Sequence, residues 1–136
     1  MISKDINIAI VGATGAAGGT ALKLLLEREH PAGNLTLMAS SRSAGRKIQY
    51  GDTHITISEA TSDGFSGIDV AIFAAGGLVS RRLAHRAVER GVFVIDKGSI
   101  FRMDPSIPLV VPEVNGDDID WHPGIVSTPN CTSTPF

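Results

Sequence analysis

The sequence predicts an α/β fold, a Rossmann-like, doubly wound and mostly parallel sheet with flanking helices. Two observations predict it. Apolar runs of strand length alternate with segments whose apolar residues recur at helical spacing, the order expected of right-handed strand-helix-strand crossovers. The first run, Ile8 to Val11, also leads into three glycines spaced three residues apart and then into an amphipathic segment. A glycine-rich turn in that context is typical of dinucleotide-binding folds.

The three glycines are Gly12, Gly15 and Gly18. Gly12 can take the tight turn after the strand, Gly15 lets the backbone approach a phosphate, and Gly18 leaves room for the following helix to pack on the strand. The helix is predicted to begin near Ala16, so that its unpaired N–H groups face a pyrophosphate over the turn. The spacing differs from the commonest NAD fingerprint, and an ordinary strand-to-helix turn is the alternative interpretation.

The remaining elements follow from apolar spacing and turn residues. The first helix is predicted to end near Glu29, because His30 precedes Pro31 and is therefore biased away from helical backbone angles. The alternating segment 47–58 predicts a β-hairpin or two edge strands. Further strands are predicted at 35–39, 68–75, 92–96, 109–111 and 124–127, and a second helix at 79–90.

Composition limits the classes of function. The chain has 136 residues, of which 43% are hydrophobic and 19% charged, with a formal net charge of −2. That length corresponds to a single domain, and the small net charge does not indicate nucleic-acid binding. Four arginines at helical spacing indicate a solvated helix face: Arg81, Arg82, Arg86 and Arg90. No signal-peptide core and no run long enough to span a bilayer is present, so we expect a cytoplasmic protein without membrane contact.

The residues after the second strand indicate which nicotinamide dinucleotide fits. NAD sites usually place Asp or Glu there, whereas NADP needs hydroxyls and a cation for its 2′-phosphate. The residues here are Ser40, Ser41, Arg42 and Ser43. They favour NADP, and a solvated polar loop is the alternative. A second small-residue turn follows the strand predicted at 68–75 and consists of Ala75, Gly76 and Gly77. That turn is interpreted equally well as a cofactor contact or as a plain strand-to-helix turn.

Cys131 is the only cysteine, which excludes an internal disulfide and a multi-cysteine metal site, and no other metal site is expected. It is predicted to begin a helix, whose positive end would stabilise a thiolate nucleophile; a buried, unreactive cysteine is the alternative. Arg102 suits an anionic ligand, or else a structural pair with Asp104 or Glu113. The histidines are predicted to be surface or cap residues: His30, His54, His85 and His122.

Five segments together resemble the amino-terminal, NADP-binding portion of the aspartate-β-semialdehyde dehydrogenase family. They are Gly-Ala-Thr-Gly-Ala-Ala-Gly (12–18), Ala-Ser-Ser-Arg-Ser-Ala-Gly (39–45), Phe-Arg-Met-Asp-Pro (101–105), Pro-Leu-Val-Val-Pro-Glu-Val-Asn (108–115) and Pro-Asn-Cys-Thr (129–132). This ordered set is highly specific and covers almost the whole chain. The resemblance implies that residues 1–136 form the cofactor domain of a longer, homodimeric enzyme, without the part that supplies the general-base histidine.

The same resemblance implies that NADPH reduces β-aspartyl phosphate to aspartate semialdehyde with release of phosphate. Cys131 is then the nucleophile that forms a thioester, Asn130 shapes the site beside it, and Arg102 binds the substrate phosphate. The implied cofactor contacts are Thr14, Gly15, Ala16 and Ala17 for the pyrophosphate and Arg42 with Ser43 for the 2′-phosphate. Two positions depart from the family pattern: Lys97-Gly98 stands where Asn-Ser is frequent, and Ala74 where serine is common.

Three other functions compete with the one that this resemblance implies. N-acetyl-γ-glutamyl-phosphate reductase uses related chemistry, but Asn130 before the cysteine and the loop at 40–43 argue against it. A short-chain reductase needs a Tyr-x-x-x-Lys pair, and the only tyrosine, Tyr50, is followed four residues later by His54. A nucleotide-binding module without chemistry remains the alternative from a different class.

Overall fold

A computed structural model of the chain describes residues 6–97, 107 and 124–127. In chain order the helices and strands are β1 (Ile8–Val11), α1 (Ala16–Glu27), β2 (Leu35–Ala39), β3 (Lys47–Tyr50), β4 (Thr53–Glu59), β5 (Val70–Phe73), α2 (Gly77–Glu89), β6 (Phe93–Asp96) and β7 (Ile125–Ser127). Short 3-10 turns at Ala32–Asn34 and Ser62–Phe65 precede β2 and β5. The predicted α/β architecture is confirmed.

The strands of the described residues form one sheet in the order β3-β4-β2-β1-β5-β6-β7. All neighbouring strands run parallel apart from the antiparallel pair β3 and β4. The central strand β1 pairs with β2 on one side and with β5 on the other, so that Ile10 lies between Leu37 and Ile72. The chain therefore winds in opposite directions from β1, and a cleft at the carboxyl ends of β1 and β5 is expected from this topology.

Within the described residues, one helix packs on each face of the sheet. Alternate residues of β1 point to opposite faces, so Ile8 and Ile10 pack with Leu22 of α1, whereas Ala9 and Val11 lie in the core that contains Leu83 of α2. Each of these six side chains is at most 7% exposed. The continuous burial of β1 explains why its sequence is uniformly apolar rather than alternating.

The hairpin alternative for segment 47–58 is confirmed. Gly51 turns the chain with φ +61°, and Ile48 faces Ile55 across the antiparallel pair. Only β3 lies at the edge, because β4 also pairs in parallel with β2 through Ile57 and Leu37. This parallel pairing places the end of β4 next to the end of β2, a relation that local spacing does not predict.

His30 is a cap residue, as predicted, but it does not lie at the surface. It is 4% exposed. Glu29 adopts φ +59° after α1, and the N–H of His30 donates to the carbonyl of Leu25 at 3.0 Å, which closes the helix end. The hydroxyl of Tyr50 donates to the His30 carbonyl at 2.6 Å. His54 and His85 are exposed, and His122 lies outside the described residues, as does the strand predicted at 109–111.

Candidate dinucleotide-binding site

The turn after β1 is held between the ends of its two neighbouring strands. The N–H groups of Gly12 and Ala13 donate to the carbonyl of Met38 in β2 at 2.8 and 3.2 Å, and the N–H of Ala74 donates to the carbonyl of Val11 at 2.8 Å. Gly12 has φ +93°, and a Cβ atom there would lie 2.7 Å from the carbonyl carbon of Ala74. Neither the angle nor the space admits a side chain.

Helix α1 sits directly on this turn because Gly18 has no side chain. A Cβ atom on Gly18 would lie 2.1 Å from the carbonyl oxygen of Gly12. At Gly18 the helix therefore packs on the turn itself, and not on the strand as the sequence predicts. Gly15 is the N-cap of α1, without a side-chain cap, and the first turn of the helix carries no acidic residue. The N–H groups of that first turn are thus available to an anion, and nothing in the turn neutralises the positive end of the helix dipole.

A cavity of about 440 Å³ lies at the carboxyl edge of the sheet, beside the glycine turn. It is lined by residues from the ends of β1, β2, β4 and β5 and from α2: Val11, Gly12, Thr14, Gly15, Ala39, Ser40, Ser41, Glu59, Ala60, Ala74, Ala75, Val79 and Arg82. Ligands of open α/β sheets bind at this position, where the winding direction reverses. The cavity is therefore the candidate site.

Six of the predicted cofactor residues line this cavity: Gly12, Thr14, Gly15, Ser40, Ser41 and Ala75. Ala16 and Ala17 form the first turn of α1 and line a second groove along that helix, and Gly18 is buried beneath the turn. Gly76 is the N-cap of α2 and Gly77 its first residue. These two glycines adjoin Ala75 but do not line the cavity.

The loop after β2 closes as a tight turn fastened to the hairpin. The N–H groups of Ser43 and Ala44 donate to the carbonyl of Ser40 at 3.0 and 3.1 Å, and Gly45 donates to the carbonyl of Ile57 at 2.8 Å. Ser40 and Ser41 remain at the cavity, whereas Arg42 is exposed and Ser43 half-buried, and neither lines it. The loop thus supplies hydroxyls to the cavity, while its predicted cation lies outside the lining.

Sequence reasoning missed two charged residues that line the cavity, Glu59 and Arg82. Glu59 ends β4 and pairs with Ala39 at the end of β2, so a carboxylate does lie beside the second strand although none follows it in sequence. Arg82 lies in α2 and was predicted only as part of a solvated face. Its spacing of three residues from Val79 places both on one side of α2, but the sequence alone does not show that this side faces the cavity.

A buried polar pair lies at the same edge of the sheet, at the carboxyl end of β6. The hydroxyl of Ser80 in α2 donates to the Asp96 carboxylate at 2.8 Å, and both residues are 0% exposed. Asp96 pairs with Ser127 at the end of β7, which is also fully buried. The predicted catalytic residues Asn130 and Cys131 follow this strand in sequence, but they and Arg102 lie outside the described residues.

Within residues 6–97, 107 and 124–127, no group of three or more His, Cys, Asp and Glu side chains could hold a metal ion. Across the same part of the chain, no helix combines the length and apolar character needed to cross a membrane.

Comparison with known proteins agrees with this geometry. A family model described as "Semialdehyde dehydrogenase, NAD binding domain" matches residues 7–122. The aspartate-semialdehyde dehydrogenase of Bacillus subtilis is 47% identical over 132 residues. That alignment covers 97% of this chain but only 38% of the Bacillus enzyme, so the chain spans well under half of the relative's length.

Solved structures give the same result. Aspartate semialdehyde dehydrogenase II from Vibrio cholerae, in complex with ASA, superposes with a TM-score of 0.87 at 43% identity, over 94% of this chain and 42% of that one. The Candida albicans enzyme with NADP superposes with a TM-score of 0.74 at 28% identity, over 95% of this chain and 44% of that one. The resemblance inferred from the five sequence segments is confirmed.

The family model covers most of the chain, and the described fold places a glycine turn, a helix N-terminus and a cavity where a dinucleotide binds. The chain therefore belongs to the semialdehyde dehydrogenase family, as its NAD-binding domain.

Proposed function

We propose that this chain is the NADP-binding part of an aspartate-semialdehyde dehydrogenase, which converts β-aspartyl phosphate to aspartate semialdehyde and phosphate. The observation that carries the proposal is the cavity at the carboxyl edge, bounded by the uncapped N-terminus of α1 and by the hydroxyls after β2. The names of the relatives supply the substrate class. For the whole enzyme we propose a homodimer, which the family resemblance implies, and a cytoplasmic location.

The pyrophosphate of the cofactor would lie over the turn between β1 and α1. The N–H of Gly15 donates to the carbonyl of Gly12 at 3.1 Å, so the donors left for its oxygens are the N–H groups in the first turn of α1, where the helix dipole favours negative charge. Thr14 lines the cavity at the same turn and offers a hydroxyl. The absence of a Cβ at Gly12 keeps this turn close to Ala74, so that both strand ends face one ligand.

Ser40 and Ser41 support NADP rather than NAD, because hydroxyls at the end of β2 can donate to a 2′-phosphate. The Candida albicans relative was solved with NADP, which favours the same cofactor. Glu59 lines the cavity as well, and its carboxylate would repel the 2′-phosphate of NADP unless a cation offsets its charge. The choice of cofactor therefore depends on which cation accompanies these hydroxyls.

The chemistry proposed for Cys131 rests on the family resemblance. The thiolate attacks the acyl carbon of the substrate, the C–O bond to phosphate breaks, and a thioester forms; Arg102 binds the departing phosphate and Asn130 shapes the site. NADPH, when bound, would supply the hydride that reduces the thioester carbonyl; the C–S bond would then break and release the aldehyde and the thiolate. The same resemblance implies that the general-base histidine is not among the residues of this chain. We therefore propose that this chain alone does not catalyse the reaction.

Calorimetric titration with NADP and with NAD tests the cofactor proposal. We expect a dissociation constant for NADP at least about tenfold lower than for NAD, since charge-assisted hydrogen bonds to a 2′-phosphate contribute about 1.5–3 kcal/mol. Arg42→Ala should weaken NADP more than NAD if the loop cation also contributes. Equal affinities for the two dinucleotides would contradict the assignment of NADP.

Alkylation of Cys131 tests whether it is a nucleophile. Iodoacetamide should react faster with the native chain at neutral pH than with the same chain unfolded in urea, because a helix N-terminus favours the reactive thiolate. The unfolded chain is a matched control, since it contains the same single cysteine. Slower reaction of the native chain would indicate a buried structural cysteine and would favour a nucleotide-binding module without chemistry.

A further inference from the structure

One flank of α2 faces the candidate site. Residues Val79, Arg82 and Arg86 are spaced three and four apart, which places them on the same side of the helix. Val79 and Arg82 line the cavity beside the glycine turn, and Arg82 and Arg86 line a neighbouring cavity of about 340 Å³ together with the segment 59–62. This flank therefore borders the cleft between α2 and the ends of β2 and β4.

Arg82 carries an unengaged charge. Arg86 pairs with Glu89 at 3.7 Å, and Arg90 with Asp63 at 2.8 Å. Arg82 is exposed and forms no ion pair or side-chain hydrogen bond in the described part of the chain. A guanidinium without a protein partner, at the border of a cavity, is available to an anionic ligand.

The cavity brings Arg82 together with the groups that a phosphate needs. Ser40 and Ser41 line it from the end of β2, and their hydroxyls can donate to phosphate oxygens. Arg42, the cation expected from sequence, does not line the cavity, whereas Arg82 does. The planar guanidinium can donate two parallel hydrogen bonds to one phosphate.

Resting on the proposed function, we propose that Arg82 binds the 2′-phosphate of the NADP adenosine and thereby sets the preference for NADP over NAD. Its charge also offsets that of Glu59, which lines the same cavity and would otherwise repel the 2′-phosphate. Arg82 thus acts on the one group that distinguishes the two cofactors, and it does so from helix α2.

The test is titration of the wild-type chain and of Arg82→Ala with NADP, NAD and adenosine 2′-phosphate. We expect the dissociation constants for NADP and adenosine 2′-phosphate to rise about tenfold or more, and that for NAD to change less than about twofold. Arg81→Ala is the matched control, because Arg81 lies about 100° around the helix and lines neither cavity. It should leave all three constants unchanged.

Two further variants sharpen the result. Arg82→Lys keeps the charge but not the paired donors, so NADP should weaken several-fold while NAD does not; this variant carries the test if the alanine variant fails to fold. Glu59→Gln in the Arg82→Ala background should restore part of the NADP affinity, because it removes the repelling charge.

Different results of these titrations would contradict the role of Arg82 and the binding of the cofactor as a whole. Equal weakening of NADP and NAD would place Arg82 at a group that both cofactors share and would overturn its role at the 2′-phosphate. Unchanged NADP affinity in Arg82→Ala would overturn it as well. If the wild-type chain binds neither dinucleotide, the cofactor proposal itself fails, and the role of Arg82 fails with it.

Discussion

Gly18 and its neighbour Gly19 lie one residue apart in the same helix, yet they face very different surroundings. A Cβ atom on Gly18 would lie 2.1 Å from the carbonyl oxygen of Gly12, whereas a Cβ atom on Gly19 would meet nothing within 4 Å. The obstacle at Gly18 is backbone, which a rotamer change cannot relieve. The turn and the helix can keep their spacing only if residue 18 is glycine.

We therefore expect opposite effects from two alanine substitutions. Gly18→Ala should lower the free energy of unfolding by about 2 kcal/mol or more and weaken dinucleotide binding, because the turn must move. Gly19→Ala should raise the free energy of unfolding by about 0.5–1 kcal/mol, since alanine is the better helix former. Urea unfolding and calorimetric titration of both variants measure this. Similar stabilities for the two variants would contradict the described packing of α1 on the turn.

At the scale of elements, the hairpin is tied to the end of α1 by one buried hydrogen bond. Tyr50 is 5% exposed, and its hydroxyl donates to the carbonyl of His30 at 2.6 Å. Burial raises the pKa of the Tyr50 phenol above its ordinary value of 10.0. The folded chain thus favours the neutral phenol, which is the form that donates the hydrogen bond.

Tyr50→Phe removes that bond and keeps the ring. At neutral pH we expect the free energy of unfolding to fall by about 1 kcal/mol. A group whose pKa is raised by folding stabilises the fold fully below its unfolded pKa and loses that contribution as the pH rises through the folded value. The difference between wild type and variant should therefore shrink above about pH 10. Urea titrations at neutral and alkaline pH measure it, and a constant difference would contradict the assigned role.

Elements built from local signals were predictable. The run of β1, the glycine spacing and the start of α1 all lie within a few consecutive residues, and each agrees with the structure. α2 begins at Gly77, two residues earlier than predicted, with Gly76 at φ +98° as its N-cap. Apolar periodicity does not locate such a cap, because glycine carries no side chain to contribute to the pattern.

Relations between distant elements were not predictable from the sequence. Glu59 reaches the site only because β4 pairs in parallel with β2, and Arg82 only because α2 crosses beside the ends of both strands. The spacing of the arginines in α2 is compatible with a solvent-exposed helix face as well as with a ligand site. The sequence therefore cannot distinguish Arg82 from Arg81. His30 was placed at the cap correctly, but its burial depends on the hairpin that packs over it.

At the scale of the whole molecule, two of the cavities that the described residues form compete as the ligand site. The groove along α1 is larger, about 690 Å³, and its lining includes Leu24, Ile72 and Ile95. The cavity at the carboxyl edge is smaller, but it contains the glycine turn, three hydroxyls and two charged side chains. A dinucleotide with two or three phosphates needs donors and positive charge more than apolar area, so the carboxyl edge is the site that the chemistry favours.

Amide chemical shifts of the isotope-labelled chain, followed by NMR during titration with NADP, test this choice most directly. The largest changes should fall on Gly12 to Gly18 and on Ser40 and Ser41, because these backbone groups border the proposed ligand. Changes centred on Leu24, Ile72 and Ile95 instead, or no changes at all, would contradict the assignment of the carboxyl-edge cavity as the dinucleotide site.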